Sequence, residues 1–386
     1  LGFAGPKGTY KTARERGRVT AHEKNSAASS EFAAFLSGER LFWGGLIMRI
    51  LVIGGNGFIG KPLVRQLIGG GHRVAVFHRN RQDGSRQTEH LQGDRNRLPE
   101  SLEEFRAFSP DVIIDMVLSS GEQAQQLIVV ARDLSARVVA ISSMDVYRAW
   151  GVMLGTEPGE LEPMPLSEDS PLRTVPQTYP PELVQKMKSI FTWVTPGYNK
   201  AAVEREIMCT DTRNTVIRLP MVYGPGDPLH RLYGVVKRVI DKRPAIILSE
   251  GHAAWRGPRG YVDNVANAIA LSATGRGGFG RTYHVCDEST VTELEWQKKI
   301  VAQTNWSGRF VLLSSQRTPK HLLAPGNAAQ HLVANTERIR TELGFTELVS
   351  LDEAIRRTIV WEQANPPAGA TFHEFNYPAE DAALSS

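Results

Sequence analysis

After Met48 the apolar positions alternate between two periods. Ile50-Leu51-Val52-Ile53 is a run long enough for a buried strand and too short to span a membrane. Phe58, Ile59, Leu63, Val64 and Leu67 recur at helical spacing, and Gly69-Gly70-Gly71 predict where that helix stops. Val74-Ala75-Val76-Phe77 returns to strand. The rhythm continues with a short strand from Glu89 to Leu91 that ends in Gly93-Asp94. A helix from Ser101 to Phe108 follows, opened by a Ser101–Glu104 capping box. Then come a strand from Asp111 to Val117, a helix from Glu122 to Leu134 and a strand from Arg137 to Ile141. Such alternation predicts an α/β protein with a parallel sheet covered on both faces.

The rhythm breaks at Trp150. Residues 151–196 hold prolines at 158, 163, 165, 171, 176, 180, 181 and 196, the mark of an inserted loop region, with one short helix from Glu182 to Phe191. A helix from Asn199 to Cys209 and a strand from Thr215 to Leu219 resume the sheet. Beyond Pro220 the pattern is mixed. It predicts helices from Leu229 to Ile240 and from Val262 to Ala273, and strands from Ala245 to Leu248, Arg281 to Val285 and Phe310 to Leu313. Thr292 with Glu295 caps a helix to about Thr304, and Ser350 with Glu353 caps a last helix to about Gln363.

The turn between the first strand and helix carries the chemistry. Gly54, Gly57 and Gly60 stand three apart. A turn leaving a parallel strand can need positive φ, which glycine adopts cheaply. Missing side chains let the backbone approach a pyrophosphate, and the helix behind offers unpaired N–H groups and a positive dipole end. Pro62 in the first turn costs little. Strand, glycine turn, helix and strand form a dinucleotide-binding unit of Rossmann type, with Gly54, Gly57, Phe58, Ile59 and Gly60 at the phosphates. The expected fold is therefore a doubly wound parallel sheet with a smaller substrate-side lobe at the strand carboxyl ends. Residues 1–47 read as a disordered extension, 48–220 as the dinucleotide-binding domain with the 151–196 insert, 221–365 as the lobe plus returning elements, and 366–386 as a C-terminal tail.

Composition narrows the partners. The chain of 386 residues is 41% hydrophobic, enough for a substantial core. Of its net charge of +4, +3 lies in residues 1–47, so the body is near neutral and a nucleic-acid partner is not expected. That first segment has little apolar periodicity, no continuous apolar stretch like a secretory signal, and four Glu that argue against an organelle transit peptide. Met48 stands directly before the first strand as a candidate natural start. Cys209 and Cys286 have neither disulfide-framework nor metal spacing and fit a reducing cytosol with two buried thiols. No membrane span, metal cluster or Ser/His/Asp hydrolase elbow is visible.

From about Met48 to Ala364 the chain resembles the extended short-chain dehydrogenase/reductases, the NAD-dependent epimerase/dehydratase class. Four segments carry the resemblance: IGGNGFIG at Ile53–Gly60, ISSMDVY at Ile141–Tyr147, RLPMVYGPGD at Arg218–Asp227 and RGYVDNVANAI at Arg259–Ile269. The class places a catalytic Ser or Thr where Ser143 stands. It also uses Tyr-x-x-x-Lys on one helical face, the lysine holding the nicotinamide ribose and lowering the tyrosine pKa. Here Lys200, followed by Glu204, matches the lysine, but Pro196 occupies the tyrosine position. Tyr198 lies two residues before Lys200, roughly 200° away on a regular helix. Either Tyr198 sits just outside the helix and swings back to the nicotinamide, or Lys200 binds ribose alone and the acid/base tyrosine is lost. The helical geometry favours the second.

The resemblance implies an NAD(P)-dependent oxidoreductase or epimerase/dehydratase-like enzyme acting on a sugar, nucleotide-sugar or other small polyol, with a homodimer as candidate assembly. The altered motif resembles the atypical branch, whose members include catalytically silent NAD(P)-binding regulatory or RNA-associated proteins. Where NAD-preferring members end the second strand in Asp, this chain has His78, then Arg79 and Arg81, which favours NADP over NAD. Asp94 matches the Gly-Asp turn that meets the adenine. Asp115, at a strand carboxyl end, reads either as a site carboxylate or as a structural one. His230, Arg231, Trp255, Arg256 and Arg259 fall in or beside the lobe, where solvated charge is the plainer reading; Arg218 and Tyr223 read as sheet-edge packing.

Overall fold

Seven parallel strands among the described residues form the centre of the chain, in the order Arg281–His284, Thr215–Leu219, Arg137–Ser143, Val112–Asp115, Arg49–Ile53, Arg73–His78 and Glu89–Gln92. The computed structural model describes residues 46–79, 88–176, 179–275, 277–288, 290–324, 326–368 and 373–385. The expected N-terminal extension, except Leu46 and Ile47, lies outside them, as does Arg81. In chain order the elements are β1 (Arg49–Ile53), α1 (Gly60–Gly69), β2 (Arg73–His78), β3 (Glu89–Gln92), α2 (Leu102–Phe108), β4 (Val112–Asp115), α3 (Gly121–Asp133), β5 (Arg137–Ser143), α4 (Arg148–Leu154), α5 (Pro181–Ile190) and α6 (Lys200–Met208). They continue with β6 (Thr215–Leu219), β7 (Met221–Tyr223), α7 (Tyr233–Ile240), β8 (Ala245–Ser249), α8 (Glu250–Ala254), β9 (Arg259–Tyr261), α9 (Val262–Thr274) and β10 (Arg281–His284). The last are α10 (Glu293–Ala302), β11 (Arg309–Leu313), α11 (Glu337–Leu343), α12 (Leu351–Ala364) and α13 (Tyr377–Ser385).

The apolar runs are continuous because both sheet faces are covered. Successive side chains of a strand point to opposite faces. Ile50, Val52, Val74, Val76, Ile114 and Ile217 enter one core, while Leu51, Ile53, Phe77, Ile113 and Val138 enter the other. β1 pairs with β2 on one side and β4 on the other, Ile53 lying opposite Asp115. Chain direction across the sheet reverses there, which opens the ligand crevice at the carboxyl ends of β1, β4 and β5. Parallel pairs β8–β11 and β7–β9 make up the smaller sheets of the 221–365 segment.

Several local expectations change. Ser101 makes no capping bond. Asp94 has already capped a 3-10 turn over Arg95–Ser101, so the chain is helical before it reaches Ser101. Ser350 likewise caps nothing with its side chain, and the Glu353 carboxylate that would complete the box is held instead by Arg356 and Arg357, at 2.7 Å each. Only the Thr292–Glu295 box of the three forms as expected. Trp150 lies inside α4, which ends at Gly155 with φ +72°, so the loop region begins after it. The expected C-terminal tail contains α13. That helix lacks a periodic apolar face and docks through charge instead: Glu380, 1% exposed, accepts from Arg238 at 3.2 Å and pairs with His321 at 3.1 Å. No helix among the described residues is long and apolar enough to cross a membrane.

Candidate functional site

The glycine turn is built as its spacing requires. Gly54 has φ +81°, and its carbonyl accepts from the Gly57 amide at 3.0 Å. Gly60 presses on the turn behind it, where a Cβ would come within 2.7 Å of the Gly55 carbonyl carbon. Gly57 is exposed at the tip, and Lys61 N–H donates to its carbonyl at 3.0 Å to start α1. Phe58 faces Gly226 of the Tyr-Gly-Pro-Gly loop. Ile59 stands at the helix N-cap position. At the end of β2, the His78 ring meets His90 at 3.0 Å, and exposed Arg79 donates to Thr192 of the insert at 2.8 Å. Asp94 spends one oxygen on the Asn96 amide, 2.9 Å away.

A second cluster lies at the carboxyl ends of β4 and β5. Ser143 ends β5, and its Oγ accepts from the Asp145 amide at 3.2 Å. Asp145 is 1% exposed, and its Oδ2 accepts from the hydroxyls of both Tyr198 and Tyr179 at 2.8 Å. Burial, then the Asp145 charge, push both phenols well above the usual tyrosine range, so each stays a proton donor. Lys200, the first residue of α6, is buried and donates to the Ile141 carbonyl at 2.9 Å and to the Leu118 carbonyl. Burial lowers its pKa to about 8, against the opposing pull of Asp145, Asp115 and Glu204.

One turn further along α6, Glu204 anchors the helix to the sheet. It accepts from Arg218 Nε at 2.9 Å and Nη2 at 2.7 Å, and from the Ser142 hydroxyl at 2.5 Å. Arg218 also reaches the Tyr147 hydroxyl and the Glu168 carbonyl. This buried network ties α6 to β5 and β6, so the lysine is held by the sheet as well as by its own helix.

Tyr198 lies outside α6, because Asn199 is the N-cap and accepts from the Ala202 amide at 3.1 Å. The freed loop turns the ring to Asp145, and no bond joins it to Lys200. Asp115, read from the sequence as either a site or a structural carboxylate, makes structural bonds. It is fully buried, held by Arg95 at 2.6 Å, and also accepts from the Val117 amide. Sequence reasoning passed over Asp145 and Tyr179. Asp145 sits inside the quoted ISSMDVY segment, two residues from Ser143, while Tyr179 is hidden in the proline-rich insert.

A cavity of about 200 Å³ in the lobe is lined by Arg231, Arg238, His252, Glu293, Trp296 and His373. The lobe residues read from the sequence are mostly engaged internally: Arg231 with Asp227 at 2.8 Å, His230 with Glu362 at 2.7 Å, Arg259 with Glu293, Arg256 with the Thr290 carbonyl and Trp255 with the Gln330 carbonyl. Tyr223 stands 3.5 Å from Asp287. A larger cavity of about 420 Å³ lies behind α1, between Lys61, Arg65, Val76 and His90, away from Ser143 and Lys200.

Residues 50–286 match the model of the NAD dependent epimerase/dehydratase family. The chain belongs to that family. None of the curated proteins compared with it matches. Among solved structures, MoeE5 in complex with UDP-glucuronic acid and NAD is 20% identical, with a TM-score of 0.60 over 82% of this chain and 99% of that one. UDP-glucose 4-epimerase of Thermotoga maritima with UDP-glucose is 17% identical, with a TM-score of 0.60 over 83% and 100%. dTDP-glucose 4,6-dehydratase of Bacillus anthracis in complex with NAD is 16% identical, with a TM-score of 0.59 over 82% and 97%. These likenesses establish the fold that this family member shares with them.

Proposed function

We propose that this member of the epimerase/dehydratase family transfers a hydride between a bound nicotinamide dinucleotide and the sugar of a nucleotide-sugar. The observation that carries the reading is the convergence of Ser143, Asp145 with Tyr198, and Lys200 at the carboxyl ends of β4 and β5, in the crevice that the glycine turn borders. Ser143 would hydrogen-bond the reacting oxygen, and the remaining N–H of Lys200 would hold the nicotinamide ribose. Tyr198, kept protonated on Asp145, would act as a donor only. The solved structures bound to UDP-glucose and UDP-glucuronic acid support a nucleotide-sugar as substrate. Of the two thiols expected to be buried, Cys286 is, while Cys209, just past the end of α6, is exposed.

Turnover is tested by incubating the protein with NAD or NADP and each UDP-sugar, following bound nicotinamide by absorbance and the sugar product by NMR. A protein that binds cofactor and leaves every sugar unchanged would instead be one of the family's silent cofactor binders.

Cofactor choice follows from β2. With no carboxylate at His78 and an exposed guanidinium at Arg79, NADP is expected to bind about tenfold more tightly than NAD at low salt. The gap should shrink as salt rises. Arg79→Ala should remove the preference and leave NAD binding nearly unchanged by calorimetric titration. Equal affinities in the unmutated protein would dispose of the arginine argument.

The lysine predicts a pH dependence. Below a pKa of about 8 Lys200 is an ammonium and offers charge and three N–H donors; above it the charge is lost. Cofactor affinity should therefore fall as pH rises through about 8. Lys200→Met should bind weakly at every pH and lose that step. A wild-type titration that is flat from pH 7 to 9 would exclude Lys200 as a cofactor ligand.

A further inference from the structure

Three buried polar groups around the crevice have no hydrogen-bond partner among the described residues: Asp145 Oδ1, Trp150 Nε1, and Arg173 at both Nε and Nη2. They belong to three elements that meet at one place. The insert runs beside the turn after β5: Leu172 pairs antiparallel with Tyr147, and the Arg173 amide donates to the Val146 carbonyl at 2.8 Å. That sets Arg173 next to Asp145. Trp150, on α4, has its ring 6.4 Å from that of Tyr179, whose hydroxyl is bonded to Asp145.

Arg173 is 8% exposed, and its one side-chain bond among the described residues, from Nη1 to the Val175 carbonyl at 3.2 Å, goes to a neutral acceptor. Its charge bears on both Tyr179 and Tyr198. A buried guanidinium that makes no direct ion pair among the described residues is costly to keep. Its planar fork matches an oxyanion with two oxygens. Beside it the rings of Trp150, Tyr179, Tyr198 and Trp193 follow one another at 6.4, 6.0 and 6.4 Å. Aromatic faces of this kind pack against the C–H faces of a sugar ring, and a carboxylate oxygen such as Asp145 Oδ1 accepts from a sugar hydroxyl.

We propose that Arg173 and Trp150 Nε1 bind an oxyanion carried by the substrate, the carboxylate of a sugar acid or the phosphate of a sugar phosphate, while Asp145 Oδ1 accepts from a neighbouring sugar hydroxyl. The inference rests on the reading that this crevice takes a sugar, and it assigns the insert the task of selecting that sugar's charge.

The test uses the full chain saturated with cofactor and titrated calorimetrically. UDP-glucuronic acid is compared with UDP-glucose, and D-glucuronate and glucose 6-phosphate with glucose. A ligand with an acidic sugar is expected to bind at least about tenfold more tightly than its counterpart with a neutral sugar. Preference for glucuronate or for glucose 6-phosphate identifies the oxyanion. Arg173→Gln should abolish the difference and leave the neutral ligands unchanged, which also reports that the variant is folded. Arg173→Lys, which keeps the charge and loses the fork, should retain part of it. Equal binding of acidic and neutral ligands, or a preference that survives Arg173→Gln, overturns the proposal while the nucleotide-sugar reading stands. Absence of binding by any sugar, with cofactor bound, overturns both.

Discussion

Arg218→Met is expected to destabilise the protein by about 3–5 kcal/mol, the cost of leaving a buried charge without its partner. Glu204 is 5% exposed and would lose the guanidinium that holds both of its oxygens. Urea unfolding followed by circular dichroism measures the loss. The double replacement Arg218→Met with Glu204→Met should recover much of it, because a buried ion pair replaced by apolar side chains of similar volume is often neutral or stabilising. A double variant no more stable than the single one would show that the pair is not the source. Cofactor affinity separates the two roles of the network. The double variant should still bind cofactor weakly, since Lys200 then lacks the anchor one turn along its helix.

The second large effect belongs to the glycine turn, where two glycines fail for different reasons. Gly57 is exposed, and a Cβ there would sit 3.3 Å from the Gly54 carbonyl oxygen, tight but tolerable. Gly57→Val therefore leaves the fold nearly intact and places a branched side chain where the pyrophosphate must approach. Crowding of that kind costs about 1–3 kcal/mol, so cofactor affinity should drop about ten- to hundredfold with little change in melting temperature. Gly60 has no room at all, because its Cβ would enter the backbone of Gly54 and Gly55. Gly60→Ala should lower both affinity and melting temperature, as α1 is pushed off β1. If Gly57→Val binds cofactor normally by fluorescence titration, the turn is not the phosphate site.

The fold was legible because its signals are local. Strand runs such as Thr215–Leu219 and the glycine turn depend on residues next to one another, and they appear where the periodicity puts them. Three-residue strands such as Met221–Tyr223 are too short to carry a period, and α13 is held by Glu380 with Arg238 and His321, a bond between segments far apart in sequence. The site divides in the same way. Ser143 and Lys200 could be placed by motif, as could the glycines. The fate of Tyr198 depended on where α6 begins, which Asn199 decides, and on an acceptor 53 residues away at Asp145. Arg173 carries no motif. Its unpaired nitrogens are visible only once the insert has folded over the turn after β5.

The same row of rings has an optical consequence. Trp193 lies 5.3 Å from the Lys200 ammonium, and Trp150 stands edge-on to Tyr179, so two of the chain's seven tryptophans border the crevice. Indole emission responds to a nearby charge and transfers energy to a reduced nicotinamide. Dinucleotide entry, proton loss from the lysine and arrival of a sugar would each leave a different signature on the intrinsic fluorescence. The crevice thus carries its own unlabelled reporters, one beside Lys200 and one beside Tyr179.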